Sequence, residues 1–184
     1  MRTILPHRWG GLQPAEDFSP TDDIQSDIIG TMRYVLDTCV VVSALLSRNG
    51  ASNQVLRMAL QGEIPCVCHY KLLSEYRDVL FRMVRRKALV FSQAQVESLL
   101  AALVTIAEEV EVRYLWRPNL RDEADNFVYE AAFAASPATI VTHNVRDFRK
   151  PEIQWPAVLV KTPQQILTEV SRNAQTKKLP IKDR

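Results

Sequence analysis

The chain has 184 residues, 47% of them hydrophobic and only 5 of them glycine, enough length and apolar content for one well-formed core. No apolar run approaches the roughly 20 residues that span a bilayer, and the odd count of three cysteines in apolar surroundings suits buried thiols in a reducing cytoplasm better than a disulfide framework. The net charge of +2 hides an asymmetry: residues 1–31 hold two arginines against five acidic residues, which leaves +5 on the remainder, a mildly basic body suited to a polyanionic partner.

Residues 1–31 contain Pro6, Pro14 and Pro20, an acidic patch and no sustained periodicity. They read as a flexible N-terminal extension that lacks the continuous apolar stretch of a secretion signal. A folded domain is expected over 32–170, with a basic tail over 171–184 that holds Lys177, Lys178, Lys182 and Arg184. Within the domain, 33–36 reads as a short strand, 40–47 as a helix, and Ser52 as the cap of a helix that Gly62 stops. A second strand is expected over 64–69 and a long amphipathic helix over 71–86, with Leu72, Leu73, Tyr76, Val79, Leu80 and Met83 at helical spacing. Ser92 caps a helix from Ala94 to about Ala107. The alternation over 110–115 predicts a strand, 122–135 a helix, 138–142 a buried strand and 157–160 a last strand. Thr162-Pro163 then opens a C-terminal helix. Strands alternating with helices argue for an α/β fold whose central parallel sheet is covered on both faces.

In such folds chemistry gathers at the carboxyl ends of the strands. Asp37 ends the first strand abruptly and is read as the first ligand of an acidic metal pocket. On the 71–86 helix, Glu75 projects beside Leu72 and Val79 at the edge of the apolar stripe, whereas Asp78 faces solvent. Geometry alone is met more simply by a flanking Glu75 that pairs with Lys71 or Arg82. Asp125 borders the apolar face of the 122–135 helix, and Asp122 reads first as its N-cap and second as an outer ligand. Beyond the buried strand, Thr142, Asn144 and Asp147 sit on the same side of the sheet as Asp37, in a loop that local hydrogen bonds would also explain. His143, imagined as a general base, reads more simply as a surface residue. His7, His69 and His143 are too scattered for a zinc site.

The joint occurrence of these acids says more than any one of them. Several carboxylates in one cleft repel unless a cation compensates. Hard oxygen ligands suit Mg²⁺ or Mn²⁺, and such a site can activate water and stabilise charge on a phosphodiester.

Four stretches together, YVLDTCVVVSALL at 34–46, LLSEYRDVL at 72–80, RDEADNFVYEAA at 121–132 and IVTHNVRDF at 140–148, resemble the PIN-domain family, in particular its branch of toxin components of toxin–antitoxin systems. The likeness covers about residues 32–170. It implies a three-layer α/β/α sandwich with a central parallel sheet and metal-dependent cleavage of RNA. By the same resemblance Asp37, Glu75 and Asp125 are the core acids, Asp122 is accessory, and the fourth acid is Asn144 or Asp147, with Asp147 ranked higher for its charge. Thr142 matches the small hydroxyl residue before this loop, and Thr38 belongs to the first motif. The resemblance also implies a homodimer and a small antitoxin protein that reaches into the cleft.

One position departs from the pattern. The family's first motif reads Asp-Thr-Asn, and here Cys39 replaces the asparagine, a softer group and a poor partner for hard cations. That departure motivates a second reading, a catalytically weak PIN-like module that binds RNA or protein without cutting. A nucleophilic Cys39 would need a histidine that the sequence does not place beside it. A phosphatase would need a second aspartate where Cys39 stands. A dinucleotide-binding enzyme is excluded because no glycine-rich turn follows the first strand.

Overall fold

The computed structural model of the chain describes residues 32–112, 120, 123–148, 151 and 155–176. They run β1 (Arg33–Leu36), α1 (Thr38–Leu46), α2 (Ala51–Leu60), β2 (Val67–Cys68), α3 (Tyr70–Arg85), α4 (Gln93–Ile106), β3 (Glu108–Glu109), α5 (Glu123–Ala134), β4 (Ala138–Val141), β5 (Val158–Lys161) and α6 (Pro163–Thr176). The extension over 1–31, Asp122 and the lysines of the basic tail lie outside the described residues.

Every strand pairing is parallel. β1 pairs with β4 and β4 with β5, while β2 pairs with β3. A parallel bridge between Tyr34 and Cys66, together with the Tyr34 amide donating to the Pro65 carbonyl at 2.8 Å, joins the two halves. The resulting order is β3-β2-β1-β4-β5. Val35, Leu36 and all four residues of β4 are buried. Successive strand side chains point to opposite faces, so unbroken burial requires cover on both faces. The architecture is therefore the expected three-layer α/β/α sandwich. On α3, Leu72, Tyr76 and Leu80 recur every four residues and are buried, which turns one stripe of the helix into the core. That helix packs against α1, α4 and α5, and α5 in turn lies on β1, β2 and β4.

Helix ends follow local chemistry. Asp37 caps α1 by accepting from the Cys39 amide, which starts this helix two residues earlier than the apolar pattern indicates. Ser92 and Gln95 form a reciprocal capping box on α4. After α2 the chain turns through Gly62 at φ +71°, a left-handed conformation that glycine adopts at no steric cost.

Two expectations are corrected. Ser52 is not the cap of α2: Gly50 occupies that position, and Ser52 is buried inside the first turn. The third strand does not run over 110–112. It is Glu108–Glu109, two exposed residues held by pairing with Val67 and Cys68, too short to carry an alternating pattern. Residues 113–115 of the expected strand lie outside the described residues. Among the described residues, no helix is long and apolar enough to cross a membrane.

Candidate functional site

In the strand order β3-β2-β1-β4-β5 the direction of chain progression reverses between β1 and β4. The crevice beyond such a reversal is where open α/β sheets bind ligands. Leu36 and Val141 pair as the last residues of the two strands, so Asp37 and Thr142 emerge side by side. The Asp37 amide donates to the Val141 carbonyl at 2.9 Å. Asp37 as a whole is only 6% exposed. Thr142 Oγ1 donates to Asp37 Oδ2 at 2.5 Å, the Cys39 thiol donates to the same oxygen at 3.0 Å, and the Cys39 amide donates to Oδ1 at 3.3 Å.

Glu75 reaches the same place from α3. Thr38 Oγ1, next in sequence to Asp37, donates to Glu75 Oε1 at 2.9 Å. This bond, made across 37 residues of sequence, is what fixes the edge-of-stripe glutamate in the site. The hydroxyl of Tyr76 anchors the helix further by donating to the Leu36 carbonyl at the end of β1.

Cys39 completes the floor. Its sulfur lies 3.5 Å from Thr142 Oγ1 and receives the His143 amide at 3.5 Å. Burial first, and the neighbouring Asp37 charge second, push the thiol up to about 11. It is therefore a neutral donor at physiological pH, a poor nucleophile. His143 is a sequence neighbour in space after all, but through its amide. Its ring Nε2 is bonded to Ser52 Oγ at 2.8 Å, directed away from Cys39.

The 142–147 loop divides in two. Thr142 is fully buried, and its hydroxyl accepts the Asn144 amide at 2.9 Å. Asn144 and Asp147 are exposed. They line a cavity of about 420 Å³ with His143, Val145, Arg146, Thr162 and Gln165. Asp125 stands half-buried near the start of α5. Among the described residues, no three histidine, cysteine or acidic side chains are gathered closely enough to hold a metal ion; Asp122 is not among them.

The donor set nonetheless suits a hard dication in kind. Asp37 is nearly buried, and among the described residues its side-chain hydrogen-bond partners are a hydroxyl, a thiol and an amide, all neutral. A buried carboxylate without a cationic partner is costly, and a cation supplied from outside relieves that cost. The carboxylates of Asp37 and Glu75 and the hydroxyls of Thr38 and Thr142 are hard oxygen donors, whereas Cys39 is a soft one.

Two features escaped the sequence reading, the Ser52–His143 bond and the Tyr76 anchor. A weak signal existed for each: Gly50 competes with Ser52 for the cap, and a tyrosine within an aliphatic stripe needs a buried partner for its hydroxyl.

Comparison with known proteins points the same way. The chain is similar to a structure of VapBC2 from Rickettsia felis bound to a DNA fragment from their promoter, with TM-score 0.50 and 16% identity, over 71% of this chain and 98% of that one. At that identity the likeness concerns the fold. No curated protein sequence matches the chain. A family model described as the PIN domain matches residues 33–146, well over half of the sequence, from β1 into the strand-end loop. The chain belongs to the PIN-domain family.

Proposed function

We propose that the chain is a divalent-metal-dependent endoribonuclease of the cytoplasm, the toxin of a toxin–antitoxin pair. The observation that carries this reading is the nearly buried Asp37 at the sheet's reversal point, whose side-chain hydrogen-bond partners among the described residues are all neutral, with Glu75 bonded to the hydroxyl of Thr38, the next residue in sequence. Family membership supports nuclease chemistry, and the fold shared with the VapBC2 structure supports an antitoxin partner. Asp37 and Glu75 would supply the first donors to Mg²⁺ or Mn²⁺, and by the family resemblance Asp125, Asp122 and Asp147 would complete the set once the ion draws them in. When bound, the ion supplies acidification of water and neutralisation of charge on a phosphodiester oxygen. The chain's own part is to orient Asp37 and Glu75. Thr142 and Cys39 hold Oδ2 of Asp37, and Thr38 holds Oε1 of Glu75. A homodimer belongs to the same proposal, although not one through the apolar stripes of α3 and α4, which are buried in the core.

Asp37→Asn preserves the shape of the site while removing its charge. Mg²⁺- or Mn²⁺-dependent cleavage of RNA should fall by about 100-fold or more, with an unchanged circular dichroism spectrum. Full cleavage by a clean preparation of that variant overturns the assignment. Cys39 favours one alternative, an RNA- or protein-binding module that does not cut. Calorimetric titration with Mn²⁺ separates the two, because absence of binding at millimolar metal supports the module.

A further inference from the structure

The first turn of α3 carries an aromatic ring that the core does not use. Tyr70 is 59% exposed, although it opens the helix that presents Glu75. The ring of buried His69 lies 4.5 Å from it, centre to centre, and backs it from inside. Lys71 follows directly. Its Nζ stands 5.9 Å from the centre of the Tyr70 ring and 5.4 Å from that of Phe127. The ammonium thus bridges the first turn of α3 and the early turns of α5, where Phe127 follows Asp125 by two residues. Lys71 and Glu75 are four apart and share a helix face, and Glu75 is tied to Thr38 beside Asp37. An exposed aromatic ring and a cation thus share the first turn of α3, one turn before Glu75.

We infer that Tyr70 and Lys71 form a subsite for one unpaired nucleotide next to the scissile phosphate, its base stacked on Tyr70 and its phosphate at the Lys71 ammonium. The inference rests on the nuclease reading above and adds the residues that would receive the strand. Bases stack on exposed aromatic rings irrespective of sequence. A base inside a duplex has both faces covered by its neighbours and offers nothing to Tyr70. An acid pair repels a polyanion, so a cation at its margin is what allows a phosphate to approach.

The test uses the full chain carrying Asp37→Asn, which suppresses cleavage. Binding is read by fluorescence anisotropy with a short fluorescein-labelled single-stranded RNA and with the same RNA annealed to its complement. Adding Tyr70→Ala should weaken single-strand binding about tenfold and leave duplex binding unchanged, whereas Tyr70→Phe should bind as the parent does. Lys71→Met should flatten the salt dependence of single-strand binding by about 0.7 of a log unit per log of salt, one phosphate contact. If Tyr70→Ala keeps its circular dichroism spectrum and binds the single strand as tightly as the parent, the subsite is overturned while the nuclease reading stands. Equal weakening for strand and duplex overturns stacking. Unchanged RNA binding with loss of self-association, read by light scattering, assigns Tyr70 to a protein contact instead. A parent that binds neither RNA removes the nuclease reading and the subsite with it.

Discussion

Asp37 and Asp147 both follow the carboxyl ends of neighbouring parallel strands, and their surroundings could hardly differ more. Asp37 comes directly after β1, is almost out of solvent, and receives three hydrogen bonds. Asp147 comes six residues after the end of β4 and is exposed, with only its amide held, by the Asn144 carbonyl at 2.9 Å. The difference lies in what the sheet can dictate. A residue directly after a strand inherits the ladder's register, so its direction is settled by backbone pairing. Half a dozen residues later that control is gone, and only side-chain contacts can restore it.

Substitutions put this contrast to the test. The largest stability effect is expected for Thr142→Val, which removes the 2.5 Å donor to Asp37 and leaves a buried carboxylate short of a partner. Urea denaturation should show a loss of about 2–3 kcal/mol. A loss near zero would mean that the strand-end corner is held by backbone alone. Tyr76→Phe comes next, because the Leu36 carbonyl loses its hydroxyl partner, and should cost about 1–2 kcal/mol.

Alkaline pH probes the same corner through its thiols. Burial pushes Cys39 up to about 11 and Cys66 and Cys68 each up to about 12, all from an ordinary 9.0. The unfolded chain therefore releases these protons first. Their contribution to stability is intact below pH 9 and declines as pH rises through 9 towards 12. Urea midpoints measured at pH 8 and pH 10.5 should differ accordingly, and Cys39→Ala should lessen the decline. The smallest effect belongs to Asp147→Asn, within about 0.5 kcal/mol of stability, with a loss of RNA cleavage well short of that for Asp37→Asn. Equal losses of cleavage for the two variants would erase the contrast drawn here.

Asp37 and Thr142 were legible in the sequence because each follows an apolar run that stops at a polar residue, a local pattern that the parallel sheet turns into position. Glu75 was legible as the edge of a helix face, and the resemblance named it a core acid, but what holds it was not legible. The bond from Thr38 depends on how α3 packs on α1, and no spacing rule encodes that. β3 was misplaced for a different reason. A strand of two exposed glutamates is defined entirely by its partner, Val67–Cys68, while the alternating residues after it advertise a strand on their own. The Ser52–His143 bond spans 91 residues of sequence, and its one faint local trace was Gly50, which competes with Ser52 for the cap. Cys39 was recognised as a departure from the family pattern. Only the three-dimensional arrangement reveals it as a donor to Asp37.

The hydroxyl of Thr142 has a consequence that is dielectric rather than geometric. Its single proton is committed to Asp37, and its oxygen receives the Asn144 amide, so both ends of the group are engaged. It has no freedom to swing when charge appears or disappears nearby. The dipoles around Asp37 are already aimed at negative charge, and a reaction that builds or moves charge in this crevice would meet an environment needing little reorganisation.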